Sequence, residues 1–176
     1  TFKGVSSFNT QATRFPIYGL EGLDVDDSVS SLAVNSLGKV AVGTHSGVAI
    51  WDPKAGTMRD YQDSAGEVFS GHVMSLLFDS FDQLWIGTYS NGVYLYSNET
   101  LVEHFVHKDD KTASLSSNAI TDLYLSKNGD VWVSTFGGGV NRYLSIKDGF
   151  ARFPELSNLS GQFPDLKCYE ISEDAL

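Results

Sequence analysis

The 176-residue sequence predicts an all-β fold of repeated four-stranded antiparallel units, on three observations. A block of about 45 residues recurs, with clear copies starting at Val29, Val73 and Ile120. In each copy a threonine follows fifteen residues later (Thr44, Thr88, Thr135), then a Gly-Val pair (Gly47-Val48, Gly92-Val93, Gly139-Val140). An aromatic residue then stands four positions after each of those glycines: Trp51, Tyr96 and Tyr143. Finally, no stretch of ten or more residues carries a helical apolar period with caps, so no helix is expected.

Each copy holds four apolar runs of strand length. In the second they are Val73-Phe78, Gln83-Thr88, Val93-Ser97 and Leu101-Val106, rich in β-branched, aliphatic and aromatic residues and separated by turn formers. The first-to-second turns read Asn35-Ser-Leu-Gly38, Asp79-Ser-Phe-Asp82 and Ser126-Lys-Asn-Gly-Asp130. Asn, Asp and Gly tolerate the left-handed conformations of tight hairpins. A period of about 40–50 residues made of short strands marks a β-propeller. One blade cannot bury both of its faces alone, so blades stack around a common axis. Trp85, Trp132, Phe105 and Phe153 are expected in the layers between blades.

The ends fit the same register. Thr1-Phe-Lys-Gly4-Val5 aligns with Thr44-His-Ser-Gly47-Val48, and Phe8 stands where Trp51 does. Residues 1–28 are therefore expected to supply the third and fourth strands of a part-blade, the fourth around Phe15, and a loop. Residues 29–72, 73–119 and 120–167 are expected to form full blades. Residues 168–176 form the first strand of the next, because Cys168-Tyr-Glu-Ile171 aligns with Ile120-Thr-Asp-Leu123. The two ends do not complete each other, since both lack a second strand. The expectation is a partial propeller, a segment of a longer one.

Composition narrows the function. A formal net charge of −10 opposes binding to a nucleic-acid backbone or to an anionic membrane surface. The single cysteine, Cys168, excludes an internal disulfide and reads as a small buried hydrophobe. No transmembrane run is present.

A search for catalytic or metal-binding patterns returns little. His45, His72, His104 and His107 show no metal-ligand spacing on a regular element. His104 and His107 span a strand end, where residues three apart point to opposite faces, and read as solvated loop histidines. Asp24-Val-Asp-Asp27 and Asp109-Asp110 do not complete a calcium loop. Gly137-Gly-Gly139 is turn chemistry, with no following helix to cradle a phosphate. No catalytic residue, cofactor or metal is expected.

A ligand belongs on the loops. In a propeller the fourth-to-first and second-to-third loops share one face. The former are long here: Pro16-Ser28, Gln62-His72, Val106-Ala119 and Pro154-Lys167. The latter present His45, Tyr89, Asn91 and Phe136 on that face, the candidate ligand-binding residues. Aromatic and amide groups together suit a carbohydrate or other small polar ligand.

The third copy, from Ser114-Leu-Ser-Ser-Asn-Ala-Ile through Asp130-Val-Trp-Val-Ser-Thr-Phe-Gly-Gly-Gly-Val to Tyr143, resembles the two-component regulator propeller repeat. Leu84-Trp-Ile-Gly-Thr88 matches the core of that repeat directly. The first copy departs from it with Ala41 in place of the tryptophan, and the third with Ser134 in place of the glycine. Trp51-Asp52 and Gly71-His72 look like the eukaryotic-type propeller signature, but Tyr96-Ser97 and Tyr143-Leu144 do not repeat it. The resemblance implies a non-catalytic input segment on the periplasmic side of a bacterial inner-membrane sensor, whose output is commonly a histidine kinase or a diguanylate cyclase. The alternatives are a protein-interaction scaffold, or a propeller lyase or glycan-active enzyme in which His45 would serve.

Exposed strand edges pair with other chains. The chain is expected to self-associate or to pair with the rest of its parent propeller. Sedimentation velocity across a concentration series tests this: a rising sedimentation coefficient is expected, and a strictly monomeric chain throughout would refute it.

Overall fold

The computed structural model describes residues 5–6, 17–153 and 168–172. The described residues contain strands and no helix. Strands β1 (Val5–Ser6) and β2 (Ile17–Tyr18) form an antiparallel pair. The partner of the first strand is therefore Ile17–Tyr18, inside the segment expected as loop; Phe15 lies outside the described residues.

Three four-stranded antiparallel sheets follow, each paired in chain order. The first holds β3 (Val29–Val34), β4 (Val40–Thr44), β5 (Val48–Asp52) and β6 (Thr57–Asp60). The second holds β7 (Val73–Phe78), β8 (Leu84–Thr88), β9 (Val93–Ser97) and β10 (Thr100–Phe105). The third holds β11 (Ile120–Leu125), β12 (Val131–Thr135), β13 (Gly139–Ser145) and β14 (Gly149–Phe153). These are the blades of a partial propeller.

Two expected boundaries move for local reasons. Gln83 belongs to the turn, because its N–H and the Phe81 N–H both donate to Asp79 Oδ1. Thr100 joins β10 because Asn98 and Glu99 take φ of 48° and 62° and close a two-residue hairpin.

Side-chain alternation builds the core. Leu84 and Ile86 point to the layer shared with the first blade, among Val48, Ile50, Tyr61 and Phe69. Trp85, between them in sequence, points to the layer shared with the third, among Phe105, Leu123, Val133 and Phe150. Its ring stacks at 5.9 Å on Phe105 and meets Tyr143 edge-on at 4.8 Å. Its indole N–H donates to Asp79 Oδ2 at 2.9 Å, so the ring is buried without an orphaned donor. Trp132 and Phe153 depart from expectation. They meet at 5.6 Å on the far face of the third blade, with Phe153 44% exposed.

The blades join through their first strands. Each first strand carries an irregularity after its first residue, at Val29/Ser31, Val73/Ser75 and Ile120/Asp122. The third residue then accepts a backbone N–H from the next blade. Leu76 donates to Ser31 Oγ at 2.9 Å, Leu123 to Ser75 Oγ at 3.1 Å, and Ile171 to Asp122 Oδ2 at 3.1 Å. One position earlier, Ser30 donates to the Val73 carbonyl at 2.7 Å, and Thr121 donates to the Cys168 carbonyl.

Residues 168–172 thus dock where a first strand docks, but they form no strand. The ladder of a first strand comes from its hairpin partner, and no described residue supplies one. Cys168 itself is only partly buried, not the buried hydrophobe expected.

This docking demands space. A Cβ on Gly43 would lie 2.6 Å from Val73 Cγ1, and one on Gly87 2.7 Å from Ile120 Cγ2. In the third blade Ser134 takes that position, bonded at 2.8 Å to the Thr121 hydroxyl, and the neighbouring residue is the smaller Cys168. Gly87→Val is expected to lower stability by about 1–3 kcal/mol through overpacking. Urea unfolding measures this, and an unchanged midpoint would show that Ile120 yields without cost.

Candidate functional site

The second-to-third hairpins are closed by their threonines. Thr88 donates its hydroxyl to the Gly92 carbonyl at 2.8 Å and accepts the Asn91 N–H at 2.9 Å. Thr44 donates to Gly47 at 3.1 Å and Thr135 to Gly139 at 3.0 Å. All three are buried. Each fixed turn projects the residue that follows its threonine: His45, Tyr89 and Phe136. The backbone N–H groups of Tyr89 and Phe136 reach back to the residue just before the first strand of their own blade. Tyr89 donates to the His72 carbonyl at 2.9 Å and Phe136 to the Ala119 carbonyl at 2.8 Å. The two loop types therefore meet on one face.

Between the first and second blades this face is filled by rings. His45 and His72 lie with centroids 4.3 Å apart, and His72 stacks on Tyr89 at 5.2 Å with an interplanar angle of 17°. Burial, and then the neighbouring His45, hold the His72 imidazole below its usual 6.5, partly offset by Asp26. Between the second and third blades the described residues leave a cleft. It has a volume of about 710 Å³ and is lined by Tyr89, Phe136, Tyr169, Met74, Ile120 and Ala119. Phe136 and Tyr169 meet edge-to-face at 6.4 Å.

Several polar groups at this cleft are engaged within the protein. Asn118 Oδ1 accepts the His107 N–H at 2.6 Å, and the Asn118 carbonyl accepts the Gly92 N–H at 2.9 Å. The Thr121 hydroxyl serves Ser134 and Cys168, and Ser117 Oγ accepts the Ala119 N–H at 3.2 Å. No Asp, Glu, Lys, Arg or His stands among the described lining residues.

Of the four candidate residues, Tyr89 and Phe136 line the cleft. His45 sits one blade interface away and reaches Tyr89 only through His72. Asn91 is not among the described lining residues; its backbone carbonyl accepts His104 Nε2 at 2.6 Å. His72, Ala119 and Tyr169 are additions from the structure. Tyr169 follows Cys168 and was reachable from the repeat alignment. The importance of His72 and Ala119 shows only when the residue before each first strand is compared.

The remaining histidines are half-buried and engaged with neighbouring groups. His104 stacks on Tyr94 at 3.9 Å, and His107 Nδ1 donates to the Leu115 carbonyl at 2.6 Å. Among the described residues no group of three His, Cys, Asp or Glu is placed to hold a metal. In the first acidic cluster, Asp24 N–H is held by Asp60 at 2.9 Å and Asp26 caps Ser28 at 2.9 Å.

A lowered imidazole pKa fixes a sign. As pH falls below 6.5 the unfolded chain binds the proton before folded His72 does. The stabilising contribution is therefore full above that value and declines below it, until His72 protonates in the folded state. Urea unfolding between about pH 7 and about pH 5 is expected to show this loss, and His72→Gln is expected to reduce it. An identical pH dependence in the variant would remove His72 as its source.

Residues 67–90 and 114–137 match the family model described as Two component regulator propeller. These segments contain every lining residue named above except Tyr169. No curated protein sequence is significantly similar to the chain. Among solved structures, an extracellular domain from B. thetaiotaomicron, described as that of a hybrid two component system, superposes with a TM-score of 0.73 at 18% identity. The match covers 88% of this chain and 22% of that one, so the chain spans about a fifth of that domain. The Dos1 propeller superposes with a TM-score of 0.52 at 18% identity, over 73% of this chain and 34% of that one. Both likenesses establish the propeller fold.

Proposed function

We propose that this chain, whose blades carry the two-component regulator propeller repeat, is a non-catalytic ligand-input segment of an extracytoplasmic sensor in a bacterial membrane signalling protein. The observation that carries this is the coincidence of the two matched segments with the cleft. The residues that identify the repeat are also those that build the open loop face. An extracytoplasmic setting is supported by the extracellular domain that shares the fold.

The cleft suits binding better than turnover. Its described walls offer rings and hydroxyls, and no acid–base pair is placed to move a proton. Signalling then requires that the bound and free states differ in blade packing or in association between copies, since a ligand shifts only an equilibrium it binds unequally. Tyr89 and Phe136 belong to neighbouring blades, so one ligand touching both senses their relative position.

In the source organism, the parent protein is expected to fractionate with the inner membrane. These repeats are expected to be degraded by protease added to spheroplasts. Recovery of the parent in the soluble cytoplasm, or full protection of the repeats, would overturn the assignment.

A further inference from the structure

Successive blade interfaces on the loop face differ by one missing ring. At the first, His72 lies between His45 of the first blade and Tyr89 of its own blade, at 4.3 Å and 5.2 Å. At the second, the position of His72 is held by Ala119, whose carbonyl accepts the Phe136 N–H as the His72 carbonyl accepts the Tyr89 N–H, and which lines the cleft together with Tyr89 and Phe136. The outer residues of the ladder are present in both interfaces, and the middle ring is present only in the first. Among the described residues, an aromatic side chain at position 119 would stand within this cleft.

We infer that the cleft binds a small, flat, uncharged aromatic ring, which takes between Tyr89 and Phe136 the place that the His72 imidazole takes between His45 and Tyr89. This specifies the ligand class of the input site and rests on that site being the cleft. The walls are rings and apolar side chains, which favour a planar partner through stacking and area burial. A charged ligand would lose its hydration without an opposite charge in return, since the described lining carries none. A ligand with many hydroxyls gains less, because Asn118 Oδ1 and the Thr121 hydroxyl already bond within the protein and the described wall is mostly apolar. Asn91, whose amide was expected to suit a carbohydrate, is not among the described lining residues, and the amide that is, Asn118, already accepts the His107 N–H through its Oδ1.

Indole and cellobiose serve as probes on the 176-residue chain, followed by ligand-observed saturation transfer and by competition between them. Indole is expected to bind the unaltered chain, and cellobiose to leave it bound. Ala119→His is expected to weaken indole at least about tenfold, by filling the slot with the protein's own ring. Phe136→Ser, a change at a half-exposed position, is expected to weaken it similarly while circular dichroism stays unchanged. Indole binding equally to both variants would move the site elsewhere. Cellobiose displacing indole, or binding alone, would overturn the ligand class. Binding of neither probe would overturn the inference, whereas spheroplast proteolysis decides the sensor assignment independently.

Discussion

The joint between successive first strands is the interaction on which the rest of this structure depends. A side-chain oxygen of one blade accepts a backbone N–H of the next: Ser31 from Leu76, Ser75 from Leu123, and Asp122 from Ile171. Each bond satisfies a donor that strand pairing within the blade leaves over, and so fixes the next blade in height and rotation. That contact is close enough to exclude a Cβ from Gly43 and Gly87. The Leu-Trp-Ile-Gly-Thr core therefore encodes two separate demands. Its tryptophan fills the outer part of the blade interface, and its glycine lets the inner parts meet.

Once the blades are held, their loop faces cannot adjust freely. The threonine-closed hairpins and the backbone bonds from Tyr89 to His72 and from Phe136 to Ala119 place residues of equivalent sequence position at equivalent points in space. Differences between repeats then become differences in shape. A histidine before one first strand fills an interface, and an alanine before the next leaves a cleft. Function in such an array lies where the repeats disagree, on a scaffold set by where they agree.

Much of the fold was legible in the sequence because the signals are local. Period-two alternation, Asn35 and Asp79 in their turns, and the threonine at each hairpin act within one blade, and those strands fell within a residue of expectation. Errors arose where a residue's setting is supplied by something distant in the chain. Phe153 shares the pattern of a layer residue, yet it stays 44% exposed beside Trp132 of its own blade. Cys168 to Ile171 read as a strand but docks without a ladder. Of the four loop residues chosen as ligand contacts, Tyr89 and Phe136 line the cleft, whereas His45 and Asn91 are not among its described lining residues.

The sequence by itself determined the blade: its four strands, its turns, its repeat period, and the glycine at which the next blade must approach. These follow from hydrogen bonding and sterics between residues near one another in the chain. Only the tertiary structure decided which loop residues share a wall and where space remains. A cleft is the volume that side chains from two blades leave unfilled. Whether Tyr89 faces an imidazole or an opening depends on residues 17 positions before it and 30 positions after it, brought to the same face by the stacking of the blades.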